Sequence, residues 1–263
     1  MQSKPYILFC ILVSISCNAN NASPFQSDNK LVKLPGSTYN GLNPYKRIHE
    51  IPLPAGFTRL KETNGSFAEW LLNLPLKLNK TVYLFNGKEK ANQSAQFAVI
   101  DISTGNKDLQ QCADAVMRLR AEYLFAIKKY EAIYFTDNEG IGYQYKPAYT
   151  SARLQQYLQG VFGMCGTASL AKQLKRISMN DMQPGDVMIR GGFPGHAVMV
   201  MDVATNHSGE KIYLLAQSYM PAQDIHLLVN PVDKGLSPWY RVGEDEVIQT
   251  PEYTFRNGEL KRW

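Results

Sequence analysis

Between Val187 and Ala204 apolar residues stand on both parities of an extended run: Val187, Met188 and Ile189, then Ala197, Val198, Met199, Val200, Met201 and Val203. A strand with one wet face alternates, so this pattern predicts strands over Val187 to Arg190 and His196 to Val203 with both faces covered. Further extended runs lie at Ile212 to Tyr219 and Ile225 to Val229, and earlier at Thr81 to Phe85 and Gln96 to Ile102, with Asn86-Gly87 starting the turn between those two. Ile48 to Leu60 alternates but carries prolines, which suits an edge segment.

Helical spacing is clearest from Asp108 to about Tyr130, where Cys112, Ala115, Val116, Leu119, Tyr123, Ile127 and Tyr130 recur on one stripe and Asp108 with Gln111 reads as a cap with its box partner. Ser66-Phe-Ala-Glu69 is a capping box before Trp70-Leu-Leu, hence a short helix ending near Pro75. Two more helices are predicted from Ser151 to about Leu158 and from Thr167 to Ile177. Helices followed by a run of closely spaced strands predict an α+β fold with helices packed on an antiparallel sheet.

Length adds a bound: 263 residues at 44% hydrophobic bury one core, so residues 41–263 are expected as a single domain. The start reads differently. Lys4 precedes an apolar run from Tyr6 to Ile15 that is too short to span a bilayer comfortably, so residues 1–17 read as an export signal. Cys17, after Ser14-Ile-Ser16, stands where bacterial lipoproteins carry their modified cysteine, although Ser14 replaces the usual Leu. Residues 18–40 are polar with Pro24, Pro35 and Gly36, a linker. The expected location is therefore outside the cytoplasm, periplasmic or anchored to the outer membrane, with membrane contact only through a lipid on Cys17. The Asn-x-Ser/Thr triplets at Asn21, Asn64, Asn79, Asn92 and Asn206 would matter in a eukaryotic secretory pathway and carry no meaning in a bacterial chain, and the lipobox-like Cys17 favours the second. Net charge is +5, but the basic residues are scattered with no stripe or finger motif, which argues against nucleic acid and suits an anionic polymer.

Candidate chemistry centres on His196. Gly191, Gly192, Pro194 and Gly195 bring the chain through a tight turn onto the strand that His196 opens, and an imidazole there needs a hydrogen bond. Cys112 falls in the first turn of the long helix, where free N–H groups and the helix dipole favour a thiolate, and a neighbouring imidazolium would add to this. Three readings of Cys112 stand side by side: a catalytic thiol, an inert core thiol, and a disulfide to Cys165. Closing a loop of 53 residues (165 minus 112) in a disulfide would contribute about 4 kcal/mol. Gln217, on the strand that pairs with the His196 strand, is placed to orient the ring; Ser218 and Asp202 are weaker candidates. His49, His207 and His226 read as structural or solvated. Arg118 and Arg120 offer charge to an anionic peptide, but an Arg118 pair with Glu122 competes. No His, Cys and carboxylate spacing makes a zinc site, so no metal and no cofactor is expected.

This order resembles the papain-like bacterial cell-wall hydrolases of the NlpC and CHAP types. Gln111-Cys112-Ala-Asp-Ala, Met182-Gln-Pro-Gly-Asp-Val-Met-Ile189, His196-Ala-Val-Met-Val-Met and Leu215-Ala-Gln217 match their helix-capping Cys, Pro-Gly-Asp strand, His strand and third polar group. The resemblance implies a papain-like fold, with Cys112 as nucleophile, His196 as base and Gln217 as orienter in an exported amidase or peptidase that cuts peptidoglycan or other peptides. It departs where Asp-Cys-Ser-Gly becomes Gln-Cys-Ala-Asp and where about Tyr130 to Met164 is inserted. The mature chain also resembles an uncharacterised bacterial family known only as domain of unknown function 4846, through Gln111 to Tyr123, Pro194-Gly-His-Ala-Val198 and Ala216 to Gln223. The alternatives to hydrolysis are a non-catalytic scaffold or glycan-binding lipoprotein bridged between Cys112 and Cys165, and a transferase using the same thiol.

Overall fold

A computed structural model describes residues 41–243 and 247–263. The export signal, Cys17 and the 18–40 linker lie outside the described residues. In chain order the elements are β1 (Phe57–Arg59), α1 (Phe67–Leu72), β2 (Gln96–Val99), α2 (Cys112–Ala126), β3 (Tyr134–Thr136), β4 (Gly142–Gln144), α3 (Ser151–Met164), α4 (Thr167–Gln173), β5 (Lys175–Arg176), β6 (Val187–Arg190), β7 (His196–Asn206), β8 (Lys211–Gln217), β9 (His226–Leu228), β10 (Tyr240–Arg241), β11 (Val247–Gln249), β12 (Thr254–Arg256) and β13 (Leu260–Arg262).

A nine-stranded sheet of antiparallel pairs carries the molecule, in the order β2-β9-β8-β7-β6-β13-β5, with β1 on β7 and β10 on β8. Two small hairpins, β3-β4 and β11-β12, stand apart from it. This overturns the expected papain-like α+β arrangement of helices first and sheet second. Strands β1 and β2 precede the long helix, a hairpin separates α2 from α3, and the C-terminal β13 inserts between β6 and β5. Strands of two or three residues carry too little periodicity to be seen in a sequence, so the short strands of the sheet escape the periodic reading.

The two-parity pattern of β7 has its expected cause. Ala197, Met199 and Met201 join the apolar cluster that holds α2, whereas Val198, Val200 and Val203 join a second cluster with Tyr213, Leu215 and Phe255. Alternate residues of a strand face opposite ways, so the sheet is buried on both sides here. A bulge between Val200 and Asp202 lets Met201 and Val203 go to different clusters despite their even spacing.

Helix boundaries differ from the periodic reading. The long helix starts at Cys112, not Asp108; Gln111 is its N-cap, and the Gln111 amide donates to the Asp114 carboxylate at 2.9 Å. It ends at Ala126, and Lys128 adopts φ 59°, which breaks the helix before Tyr130. The third predicted helix stops at Gln173 because the chain turns extended at Leu174 and pairs as β5. The second runs further than expected, to Met164. Thr81 to Phe85 is no strand and makes only isolated bridges, Tyr83 with Glu89 and Leu84 with Gln223. The Ser66 box is present: Ser66 Oγ accepts from the Glu69 amide at 3.1 Å, and Glu69 accepts from the Gly65 amide at 2.6 Å. Among the described residues no helix is long and apolar enough to cross a membrane.

Candidate functional site

Five residues link β6 to β7, and Arg190 faces His196 across the pair. The turn tolerates little else than glycine at Gly195, where a Cβ would lie 2.3 Å from the Gly192 carbonyl and 2.4 Å from Thr167 Oγ1. Gly192 holds φ +112°, a conformation side chains disfavour. The chain is thus pressed against the start of α4 and delivers His196 into a buried position, leaving Phe193 at the tip of the turn fully exposed.

Gln217, the last residue of β8, meets His196 as the pairing of the two strands predicts. The His196 Nε2–H donates to Gln217 Oε1 at 2.9 Å. His196 Nδ1 makes no hydrogen bond among the described residues. Three rings pack on the imidazole, with centroids at 4.7 Å for Tyr219, 4.9 Å for Tyr253 and 5.9 Å for Phe255. Burial drives the His196 pKa down to about 4, against the opposing pull of the Gln217 bond.

Cys112 opens α2 and is only 7% exposed, yet it belongs to neither apolar cluster, whereas Cys165 lies inside the cluster around α2. The backbone N–H groups of Ala113 and Ala197 point at the Cys112 sulfur, which places it beside the residue that follows His196 in β7. Those amides favour the anion, but burial outweighs them and Asp114 opposes them, so the thiol is raised to about 11. The lowered thiol expected at a helix start is therefore corrected: desolvation wins. Cys165 is also raised to about 11 by burial, and both thiols are free. A Cys112–Cys165 bridge is absent. Asp114, buried with the cap, is itself raised to about 8 by desolvation.

A charged network that sequence spacing gave no sign of lies behind Gln217. Its Nε2 donates to Glu252 Oε2 at 2.7 Å and faces His226 Nε2 at 3.4 Å. Glu252 sits in the turn between β11 and β12, and accepts from Lys90 Nζ at 2.5 Å and Asn92 Nδ2 at 3.1 Å. Lys90 is buried, and burial lowers its pKa although Glu252 pulls it back up. His226, read as solitary, is part of this network: its Nδ1–H donates to the Asp224 carbonyl at 2.9 Å, and burial lowers its pKa to about 3. The sequence separation of 162 from Lys90 to Glu252 explains why no motif showed them.

The remaining candidates lie elsewhere. Ser218 Oγ is 2.8 Å from the carbonyls of Gln110 and Gln223, and Asp202 pairs with Arg59 at 2.8 Å. Arg118 pairs with Glu122 at 2.8 Å, and Arg120 stacks on Phe67 and Trp263. His49 Nδ1 bonds to the Leu72 carbonyl at 3.2 Å, and His207 is exposed between β7 and β8. No group of three His, Cys, Asp or Glu among the described residues could hold a metal ion.

The chain matches the family described as Domain of unknown function (4846) over residues 48–153 and 143–262, and it belongs to that family. No curated protein and no solved structure matches it.

Proposed function

We propose, from membership of a family with no assigned activity, that this protein is a thiol-dependent amidase or peptidase acting on cell-wall peptides. The observation that carries the reading is the His196 to Gln217 bond at 2.9 Å, which spends Nε2–H on the amide and leaves the Nδ1 lone pair unshared, on the residue before Ala197, whose backbone N–H points at the Cys112 sulfur. The reading rests on this site and not on a papain-like fold.

With the thiol at about 11 and the imidazole at about 4, the separated thiolate and imidazolium lie about 10 kcal/mol above the neutral pair. Two unit charges 4 Å apart regain about 4 kcal/mol at an effective dielectric of 20. The resting pair is therefore thiol and neutral imidazole, and the proton moves as the substrate is attacked. Cys112 Sγ bonds to the amide carbonyl carbon while its proton passes to His196 Nδ1, and the Cys112 N–H contributes to holding the oxyanion. Collapse breaks the C–N bond, Nδ1–H protonates the leaving amine, and a thioester remains on Cys112. Water then attacks, gives its proton to Nδ1, and the acid leaves as Nδ1–H returns the proton to sulfur. The cell-wall substrate is supported by the export-like residues 1–17 and a +5 net charge that suits an anionic polymer.

The test is amine release from purified cell wall by the mature chain, with Cys112→Ala and His196→Gln. Both variants are expected to lose activity by at least about 100-fold. Full activity in both would overturn the assignment. Transfer rather than hydrolysis would show as acyl product on an added amine instead of free acid.

A further inference from the structure

Gln217 has one oxygen and two N–H donors, and what lies behind it settles which end faces His196. Glu252 is a carboxylate paired with Lys90 at 2.5 Å and also bonded by Asn92 at 3.1 Å, so toward Gln217 it only accepts. His226 spends its Nδ1–H on the Asp224 carbonyl, and at a pKa of about 3 it is neutral, so the nitrogen it turns to Gln217 also carries a lone pair. Two acceptors therefore claim the Gln217 amino group, one at 2.7 Å and one at 3.4 Å. The amide cannot flip without setting its oxygen against both. Its oxygen must then face His196, and the nitrogen of His196 that meets it must carry the proton.

We infer that Glu252 is the positioning residue of the site: through Gln217 it holds His196 in the Nε2–H tautomer, the one form of the neutral ring that keeps a lone pair on Nδ1. Glu252 makes no hydrogen bond to His196 or Cys112; it orients the glutamine that lies between itself and the His196 ring, and its charge also pulls the His196 pKa upward against burial. Its bond is the shorter and the charged one, so it outweighs His226 as the lock. The same β11-β12 hairpin supplies Tyr253 and Phe255, which pack on the ring that Glu252 orients. A neutral amide as the middle member fits this role, because a carboxylate at 217 would face Glu252 with like charge. The catalytic meaning of the tautomer rests on the reading of His196 as base, but the tautomer itself does not.

Nitrogen-15 spectra of histidine-labelled mature chain distinguish the two tautomers directly, with the His196 signals assigned by loss in His196→Gln. The wild type is expected to show His196 as Nε2–H. Two variants remove the lock without leaving a buried ammonium unpaired: Lys90→Met with Glu252→Leu, and Lys90→Met with Glu252→Gln, where the new amide is free to offer its N–H. In either folded variant, checked by its melting transition, the Nε2–H to Nδ1–H ratio is expected to fall by about tenfold or more, the size of losing a charged hydrogen bond. An unchanged Nε2–H ratio in a folded variant, or an Nδ1–H ring in the wild type, overturns the assignment of Glu252. A protein with no amidase activity that still shows the shift would sink the proposed function and leave this inference standing.

Discussion

His196 and His226 flank the same glutamine from neighbouring strands of one sheet, and differ in a single nitrogen. β7 and β9 lie on either side of β8, both rings are buried, and burial lowers both pKa values, to about 4 and about 3. His226 has both nitrogens engaged, one on the Asp224 carbonyl and one facing the Gln217 amide. His196 gives one to Gln217 and keeps the other free of hydrogen bonds. Burial alone therefore says little about reactivity. Under the proposed function, what separates the structural histidine from the base is the uncommitted lone pair of His196, next in the chain to Ala197, whose amide points at the Cys112 sulfur.

The largest effect expected from this contrast is on turnover. His196→Gln removes the free nitrogen and should lower cell-wall amide hydrolysis by about 100-fold to 10,000-fold, whereas His226→Leu should stay within about tenfold of wild type. Equal losses in the two variants would erase the distinction. Next comes acid stability. Both folded values lie below the ordinary 6.5. Between that value and about 4 or 3 the unfolded chain takes up protons that the folded chain refuses. Their stabilisation is complete above pH 6.5 and is lost as pH falls through the folded values, by about 3 kcal/mol for His196 and about 5 kcal/mol for His226. Urea midpoints from pH 7 to 3.5 check this, and His226→Leu should flatten the slope more than His196→Gln. At neutral pH, His226→Leu strands the Asp224 carbonyl and one Gln217 N–H, and should cost about 2 to 4 kcal/mol by denaturant titration.

The two cysteines give the same lesson at smaller scale. Cys165 sits in the apolar cluster and Cys112 outside it, though both thiols are raised to about 11. Cys165→Ala should cost about 1 to 2 kcal/mol of stability and leave turnover unchanged.

Much of the site was legible in the chain because it sits at element ends with strong local signals. The glycine-rich turn marked His196, the long amphipathic stripe put Cys112 at a helix start, and the short loop from Asn206 to Glu210 brought Gln217 back to the same end. The buried character of β7 could be read from its two parities. What failed was whatever depends on distant or very short segments. β5, β10 and β13 are two or three residues each, so the nine-stranded sheet was not foreseen and a papain-like fold was expected in its place. Lys90, Glu252 and His226 meet only in three dimensions, and the thiol shift depends on desolvation that no spacing reveals.

The most direct test of the central claim, that an unshared imidazole lone pair activates the sulfur at the start of α2, is the rate of iodoacetamide labelling at Cys112 read against Cys165 in the same molecule by mass spectrometry. Labelling of Cys112 should outpace Cys165 by at least about 100-fold at pH 7 and fall to the Cys165 rate in His196→Gln. Equal slow labelling at both sites, or a Cys112 rate untouched by that substitution, would contradict it.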